Sequence, residues 1–416
     1  MDLRPKSYEK ICQLLHKGVD IPNPLTIDIG DEVDIDRISG KDVTIYPGCR
    51  IYGPDTVIST GSRIGYEAPA TIENCRLGAK VELRGGYFNH SVFLDQSRMG
   101  MGAHVREGSI LEEQAYTAHG VGLKQTILFP FVTLGSLINF CDCLMAGGTS
   151  RRNHSEVGSS YIHFNYTPDG DKTTPSLIGD VPRGVMLNQP PIFLGGQGGI
   201  VGPLRLGYGN VVAAGSILRD DHPENNNLIF PAAPSAGVRA FMLAAYPNIR
   251  RIVENNIRYI ANLKALEAWY TEVRKPFLGA LEFGPFLYAG VMEQLLLARQ
   301  ERLKRLRNMA IRPASPAPHG PAPESAIDRQ ILSEHLLEIE NLYSGSMQND
   351  LTEKSHEAFM RAFQKATGNN RTNYIETIQN LPADVALKGS GWLANMVDTL
   401  CERASETMPS LNLFRK

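Results

Sequence analysis

A chain of 416 residues is longer than one compact core usually supports, so two or more structural units are expected. Its 42 basic and 44 acidic residues nearly cancel, which argues against nucleic acid as a partner, since that partner requires a strongly basic face. The sequence shows no secretory pattern at its start and no apolar run long enough to cross a membrane. Six scattered cysteines suit buried reduced thiols, and together these features favour a cytoplasmic protein.

The first predicted element is a short helix over residues 7–19. Ser7 suits its N-cap, and Ile11 and Leu14 lie on one apolar face. Because the terminal coils of a repeat expose unpaired edges, we expect residues 1–25 to form a helical cap over the repeat that follows.

Residues 27–218 carry aliphatic side chains that recur at every sixth position. One such run is Cys75, Val81, Tyr87, Phe93, Met99, Val105, Leu111, Thr117 and Leu123. A period of six fits neither an α-helix nor a coiled coil, but it is a multiple of the strand period of two. Each hexad can therefore hold a short strand and a corner, which predicts a mainly β parallel solenoid over residues 26–225. The alternative is a sandwich or barrel of ordinary short strands, which rarely keep one phase for nine consecutive steps.

Three segments break this phase, at residues 147–156, 165–176 and 181–193. Insertions in a repeat protein form loops on one face, and that face is often the binding face. We therefore expect the chemistry of the protein near these three segments.

The second half of the chain has a helical pattern. Residues 226–312 read as a helical region whose basic stretch, 299–307, is either a solvated helix face or a contact for an anionic partner. Residues 313–325 are rich in proline and have the composition of a linker, so we expect proteases to cut there first. Residues 326–416 read as a second helical region without a chemical motif.

Two cations are spaced as a phosphate site would require. Arg106 and Lys124 are eighteen residues apart, which is three hexads. With three hexads in a coil, both side chains would stack on the same edge and could bind a diphosphate. The alternative is that they are ordinary surface cations of a solenoid.

Two stretches resemble a known enzyme family. These are VREGSILEEQAYTAHGVGLKQ at 105–125 and HFNYTPDGDKTTPSLIGD at 163–180. They are similar to the C-terminal acetyltransferase half of the bacterial bifunctional N-acetylglucosamine-1-phosphate uridylyltransferase and glucosamine-1-phosphate acetyltransferase. The likeness runs from about 105 to 221. It implies a left-handed β-helix, a homotrimer with active sites between subunits, and acetyl-coenzyme A as co-substrate.

The resemblance also implies roles for particular residues. Arg106 and Lys124 match the arginine and lysine that bind the phosphates of a sugar phosphate or nucleotide sugar. Asn165, Tyr166 and Lys172 match the loop that lines the sugar and acetyl-coenzyme A site.

The sequence departs from the family at the catalytic base. The family's histidine would fall near Ser136, and serine cannot take a proton from an amino sugar unaided. His154 and His163 flank the loop and could supply the base from another position, although each could also be an ordinary surface or core histidine. Thr167 and Pro168 are extra residues inside the loop, which makes the match of the lysine after them less direct.

The leading hypothesis is a left-handed parallel β-helix with a C-terminal α-helical extension that transfers an acyl group from acyl-coenzyme A to a phosphorylated or nucleotide-linked amino sugar. This chemistry requires no metal. The alternative is a binding or scaffold protein that keeps the phosphate pocket but has lost catalysis. The nucleotidyltransferase half of the family is absent from the sequence, so uridylyltransferase activity is not expected.

Overall fold

A computed structural model describes residues 5–165, 167, 170–232, 236–238, 248–312, 324–344, 353–368 and 372–414. Tyr166, which belongs to the predicted sugar-site loop, and residues 313–323 of the predicted linker lie outside the described residues.

Short parallel strands form the three faces of a solenoid of about 11 turns. Face A contains β1 (Asp28–Ile29), β3 (Arg50–Tyr52), β6 (Ala70–Glu73), β9 (Gly86–Asn89), β12 (Ala103–Val105), β15 (Gly122–Leu128), β17 (Asn139–Met145), β21 (Ile162–Phe164), β24 (Gly199–Val201) and β27 (Ile217–Leu218). Face B contains β4 (Val57–Ile58), β7 (Arg76–Leu77), β10 (Ser91–Phe93), β13 (Ser109–Leu111), β22 (Ser176–Ile178) and β25 (Arg205–Leu206), together with the second halves of β15 and β17.

Face C is a separate sheet, and a hairpin projects from the solenoid. Face C contains β2 (Thr44–Ile45), β5 (Arg63–Ile64), β8 (Glu82–Leu83), β11 (Arg98–Met99), β14 (Tyr116–Thr117), β16 (Thr133–Leu134), β20 (Glu156–Val157), β23 (Phe193–Leu194), β26 (Val211–Val212) and β28 (Leu228–Ile229). The hairpin consists of β18 (Gly148–Ser150) and β19 (Asn153–His154). It lies within the first predicted insertion.

Most of the predicted hexad residues form the interior of the solenoid, but Tyr87 points outward and Phe88 takes the inward position on its strand. On face A the inward column is Phe88, Val105, Leu123, Phe140, His163, Ile200 and Leu218, all at most 2% exposed. Alternate residues of a strand point to opposite faces, so one residue per short strand is buried against the coils above and below. The left-handed parallel β-helix with a C-terminal helical extension is confirmed.

The N-terminal helix α1 (Tyr8–Lys17) lies against the first coils. Ile11 and Leu14 are buried, and the Lys10 ammonium donates to three backbone carbonyls of the first coil, including that of Val33 at 2.6 Å. Ser7 precedes the helix, but its hydroxyl makes no capping hydrogen bond. The ψ angle of Ser7 is 12°, which is not the extended conformation of a capping residue. The prediction that Ser7 caps this helix is therefore wrong.

The remaining helices follow the solenoid strands, except for one short helix inside the third insertion. They are α2 (Val181–Gly184), α3 (Ile249–Trp269), α4 (Lys275–Gly279), α5 (Gly284–Ile311), α6 (Glu324–Glu334), α7 (Leu336–Ser344), α8 (Glu353–Thr367), α9 (Tyr374–Gln379) and α10 (Ala383–Thr407). A single π-helical turn, Tyr270–Arg274, joins α3 to α4.

Helices α3 and α4 run along face B from the last coils towards the first. Near the start of α3, Arg251 contacts Asp221 of a late coil at 3.4 Å. Beyond α4, the Glu282 carboxylate accepts a hydrogen bond from the amide of Thr60, in an early coil, at 2.9 Å. This stretch of helix therefore contacts most of the length of the solenoid.

Helix α5 returns along the same face in the opposite direction. Glu293 pairs with Arg76 of β7 at 2.8 Å, and Arg302 bonds Asp142 of β17 at 2.5 Å. Two successive helical segments therefore cover face B and leave faces A and C uncovered by α3 and α5.

The helices on either side of the predicted linker share one apolar core. The ring of Phe359 stacks between the rings of Trp269 and Trp392, with centroids 5.9 and 5.7 Å away. The indole N–H of Trp269 also donates to the hydroxyl of Tyr374 at 2.9 Å. These contacts join the two predicted helical regions, whose exact boundaries stay a prediction.

Candidate functional site

Arg106, Lys124 and Cys141 occupy equivalent positions on three successive coils. Strands β12 and β15 pair Val105 with Leu123, and β15 pairs Lys124 with Cys141. The three residues therefore form one outward column at the edge of face A that turns into face B.

Three of the predicted binding residues surround the thiol of Cys141. Burial, together with the neighbouring Asp142 carboxylate, raises the pKa of this thiol to about 11. The cations of Arg106, Lys124 and Lys172 act on the same thiol in the opposite direction. The fold thus places the two stacked cations and the loop lysine within electrostatic range of one thiol.

Lys124 already has a carboxylate partner. Its ammonium lies 2.7 Å from the Glu107 carboxylate, at the corner that follows β12. Burial opposes ionisation of Glu107, but Lys124, a backbone hydrogen bond and Arg106 together more than offset it, so the pKa of Glu107 lies below its usual value. A phosphate that binds Lys124 has to compete with this carboxylate.

An arginine from helix α5 fixes the edge of this group of cations. Arg302 donates to the Asp142 carboxylate at 2.5 Å and to the backbone carbonyl of Lys172 at 3.1 Å. The side-chain amide of Asn165 reaches the other oxygen of the same carboxylate at 3.4 Å. Burial raises the pKa of Asp142 although Arg302 opposes it. One buried aspartate therefore holds the loop residue and the helix together.

Sequence reasoning missed Arg302. The basic stretch at 299–307 was open to interpretation as a solvated helix face, and the side chain of Arg307 is indeed 55% exposed. Arg299 and Arg302 are buried, with side chains 7% and 1% exposed. Their spacing of three residues is the one signal that places both on the same side of a helix.

His163 lies inside the solenoid. Its ring packs edge-on against Phe140, is 2% exposed and shares a hydrogen bond of 2.8 Å with the hydroxyl of Ser176. Burial lowers the pKa of His163 to about 3, so the ring is neutral. A substrate on the surface of the solenoid cannot contact this ring, which has the position of a core histidine.

His154 lies on the hairpin. Its ring nitrogen is 3.6 Å from the carboxylate of Glu156, which belongs to face C. The hairpin leaves the solenoid after the face B part of β17 and returns at β20, so it projects from the corner between faces B and C. The structure therefore does not bring His154 to face A, where the cations lie.

A third histidine, His119, lies at the other edge of face A. It is exposed, and its Nδ1 is 3.0 Å from the hydroxyl of Ser136, which occupies the position where the resemblance places the catalytic histidine. The two residues are seventeen positions apart, close to one coil. Sequence reasoning missed this pair, because a step of three hexads back from Ser136 ends at Ala118, one residue before His119.

The described residues hold no group of three His, Cys, Asp or Glu side chains that could bind a metal ion. Among the helices that the structure describes, none is long and apolar enough to cross a membrane.

The architecture defines the class: a left-handed parallel β-helix of hexapeptide repeats, with cations stacked at one edge. Over about half its length the chain is distantly related to the bifunctional protein GlmU, in a manner consistent with the acetyltransferase β-helix region of that protein. It is 29% identical to the protein from Thermotoga maritima over 214 residues, which is 51% of this chain and 42% of the relative. It is 31% identical to the protein from Acaryochloris marina over 201 residues, which is 48% of this chain and 39% of that relative.

The protein from Trichormus variabilis is 30% identical to the chain over 217 residues, and the match covers 43% of that relative. The chain therefore spans less than half the length of these relatives. No family model matches the chain. The similarity over about half of the chain is therefore consistent with a common β-helix.

Proposed function

We propose that the chain binds a phosphorylated or nucleotide-linked amino sugar on face A and transfers to it an acyl group from acyl-coenzyme A. The observation that carries this proposal is the stacking of Arg106 and Lys124 on adjacent coils, with Lys172 beside them. Three cations around one small surface suit a diphosphate, because charge-assisted hydrogen bonds are stronger than neutral ones.

We propose His119 as the base, because it contacts Ser136, where the resemblance places the catalytic histidine. In an acyl transfer the amine nitrogen attacks the thioester carbonyl, an amide bond forms, and the carbon–sulfur bond breaks to release coenzyme A. The amine proton passes to the base. His119 is exposed at the edge of face A opposite the cations, and its hydrogen bond to Ser136 orients the ring. The two histidines predicted from the sequence are less suitable, because His154 lies on the hairpin away from face A and His163 is buried.

The proposal includes a homotrimer in the cytoplasm. Faces A and C present large exposed apolar side chains at the later coils, which another subunit could cover. These residues are Ile162, Phe164 and Val201 on face A, and Phe193, Val211 and Leu228 on face C. Light scattering over a concentration series tests the trimer, and a monomer at every concentration contradicts it.

A non-catalytic scaffold is the second candidate function. It is favoured by serine at position 136, and by the ion pair that already occupies Lys124. Under this proposal the nucleotide sugar binds but no acyl group is transferred.

Calorimetric titration with UDP-N-acetylglucosamine tests the binding site. The variants Arg106→Ala and Lys124→Ala should each weaken binding by roughly tenfold or more, because each charge-assisted contact contributes about 1.5–3 kcal/mol. Arg50→Ala, which removes an exposed cation from another coil of face A, should leave the affinity unchanged. Equal affinities in all variants would overturn the proposed site.

An acyl-transfer assay with acetyl-coenzyme A and glucosamine 1-phosphate separates the two functions. Release of the coenzyme A thiol by the unmodified chain, reduced by His119→Gln and unaffected by His163→Gln, is the result expected of an acyltransferase. Binding of the nucleotide sugar without thiol release would establish the scaffold function.

A further inference from the structure

A second group of cations lies on the opposite side of the solenoid from face A. Gln96, Arg98, Gln114, Tyr116 and Arg151 line a cavity of about 330 Å³. Every one of these side chains is a hydrogen-bond donor, and no carboxylate lines the cavity. The cavity therefore has the composition of an anion site.

The fold holds the two arginines of this cavity together. Arg98 and Tyr116 are paired in register on adjacent strands of face C. Arg151, in the turn of the hairpin, places its guanidinium 5.7 Å from the centre of the Tyr116 ring. One Nη atom of Arg151 donates to the carbonyls of Gln114 and Phe131, at 3.0 and 2.6 Å. These bonds anchor the hairpin arginine over the solenoid.

The two cations repel each other at this position. Burial lowers the pKa of Arg151, and the nearby Arg98 lowers it further. Among the described residues Arg98 has one ion-pair partner, Glu82, at 3.8 Å, but this carboxylate lies closer to Arg84, at 3.1 Å. Glu156 exerts only the smallest of the effects on the pKa of Arg151. Two like charges held together without a bridging carboxylate are stabilised when an anion binds between them.

A second cavity, of about 420 Å³, adjoins the first and shares Gln96 and Gln114 with it. Its other polar lining residues include Asp95, Glu113 and Arg274. These groups accept and donate hydrogen bonds in close alternation. A Glu113 oxygen and the Nε of Arg274 are buried without a hydrogen-bond partner among the described residues. Such a lining suits the hydroxyl groups of a polyol.

We propose that the two cavities form one binding site for a small phosphorylated polyol. Arg98 and Arg151 bind the phosphate, and the hydroxyl of Tyr116 donates to it. The hydroxyl groups of the ligand extend past the two glutamines and bond Asp95 and Glu113. This site is separate from the cations of face A and does not depend on acyl transfer.

Calorimetric titration of the full chain with glucose 6-phosphate, glucose and inorganic phosphate tests the proposal. Glucose 6-phosphate should bind at least tenfold more tightly than inorganic phosphate, and glucose should not bind measurably. Arg98→Ala should weaken binding of glucose 6-phosphate by tenfold or more. Tyr116→Phe, which keeps the ring under Arg151, should weaken it severalfold.

Two further variants locate the ligand. Arg50→Ala removes an exposed cation elsewhere and should leave the affinity unchanged. The double variant with Arg106→Ala and Lys124→Ala should also bind glucose 6-phosphate normally. Loss of binding in that double variant but not in Arg98→Ala would place the ligand on face A and overturn the proposal. Equal affinity for glucose 6-phosphate and inorganic phosphate would overturn its polyol part.

Discussion

Arg302 and Asp142 form a buried ion pair, 2.5 Å long, between helix α5 and the corner of the coil beside Cys141. Both side chains are at most 5% exposed. The same arginine bonds the carbonyl of Lys172, so the helix that follows the β-helix in the chain supports the loop of the candidate site. The helical extension is therefore a structural part of that site.

Replacing Arg302 by methionine should destabilise the chain by about 3–5 kcal/mol, because the change leaves the Asp142 carboxylate buried without its cation. The exposed pair of Arg307 and Glu340 provides the matched control, since Arg307→Met should leave the free energy of unfolding nearly unchanged. Urea unfolding followed by circular dichroism measures both free energies.

Adding Asp142→Asn to Arg302→Met should recover part of the lost stability, because the second change removes the buried charge. Losses that are simply additive would show that the two side chains do not interact as described.

Stability at acid pH should depend on His163. Its pKa is about 3 in the folded chain and about 6.5 when unfolded. Between these values the unfolded chain binds a proton that the folded chain does not. The stabilising contribution is therefore present above pH 6.5 and is lost as the pH falls towards 3, by about 1.4 kcal/mol per pH unit.

His163→Gln should remove this contribution to the pH slope, whatever its effect on stability at neutral pH. His16→Gln, at an exposed position of α1, is the control and should keep the slope of the unmodified chain. Unfolding measured at several pH values between 4 and 7 decides the matter, and an unchanged slope in His163→Gln would contradict the buried neutral ring.

Releasing Lys124 from its partner should strengthen nucleotide-sugar binding. Glu107→Gln removes the carboxylate that lies 2.7 Å from the Lys124 ammonium, so a phosphate no longer competes with it. We expect affinity for UDP-N-acetylglucosamine to rise severalfold in calorimetry. Glu67→Gln breaks a comparable ion pair with Arg84, at 3.0 Å, and should leave the affinity for UDP-N-acetylglucosamine unchanged. A weaker affinity in Glu107→Gln would mean that the carboxylate itself contacts the ligand.

A side chain at Gly290 should loosen helix α5 from the solenoid. A Cβ atom there would lie 2.3 Å from the Cδ of Arg76, which is itself buried and paired with Glu293. Gly290→Val should therefore increase hydrogen exchange throughout α5. Gly391→Ala is the matched change in α10, where a Cβ meets no atom within 4 Å, and helix propensity should make it stabilising by about 0.5–1 kcal/mol. If the amides of α5 exchanged equally fast in Gly290→Val and in Gly391→Ala, the close packing of α5 would be contradicted.

The sequence predicts the β-helix well because its signal is local and repeated. Val105 and Leu123 share one phase of six, and the structure buries both in the same inward column. The phase also predicts that Arg106 and Lys124 stack. His163 follows an interruption of the repeat, where the phase can no longer be counted, so its inward direction could not be read.

The remaining residues of the site depend on contacts between distant segments. Arg302 meets Asp142 across 160 positions, and no periodicity connects a helix to the corner it covers. His119 and Ser136 are one coil apart, but the length of this coil is seventeen residues and the hexad count alone gives eighteen. To find that pair from the sequence, the strand register would have to be known to within one residue.

The helices along face B also change how the solenoid can unfold. In an unbraced solenoid each coil contacts only its neighbours, so the end coils fray and opening spreads inwards one coil at a time. Here Arg251 and Glu282, at opposite ends of one stretch of helix, bind the late and the early coils. Opening an end coil therefore breaks its contacts with a helix that the middle coils also contact. The coils should then unfold cooperatively. Protection of backbone amides should then be nearly uniform from the first coil to the last.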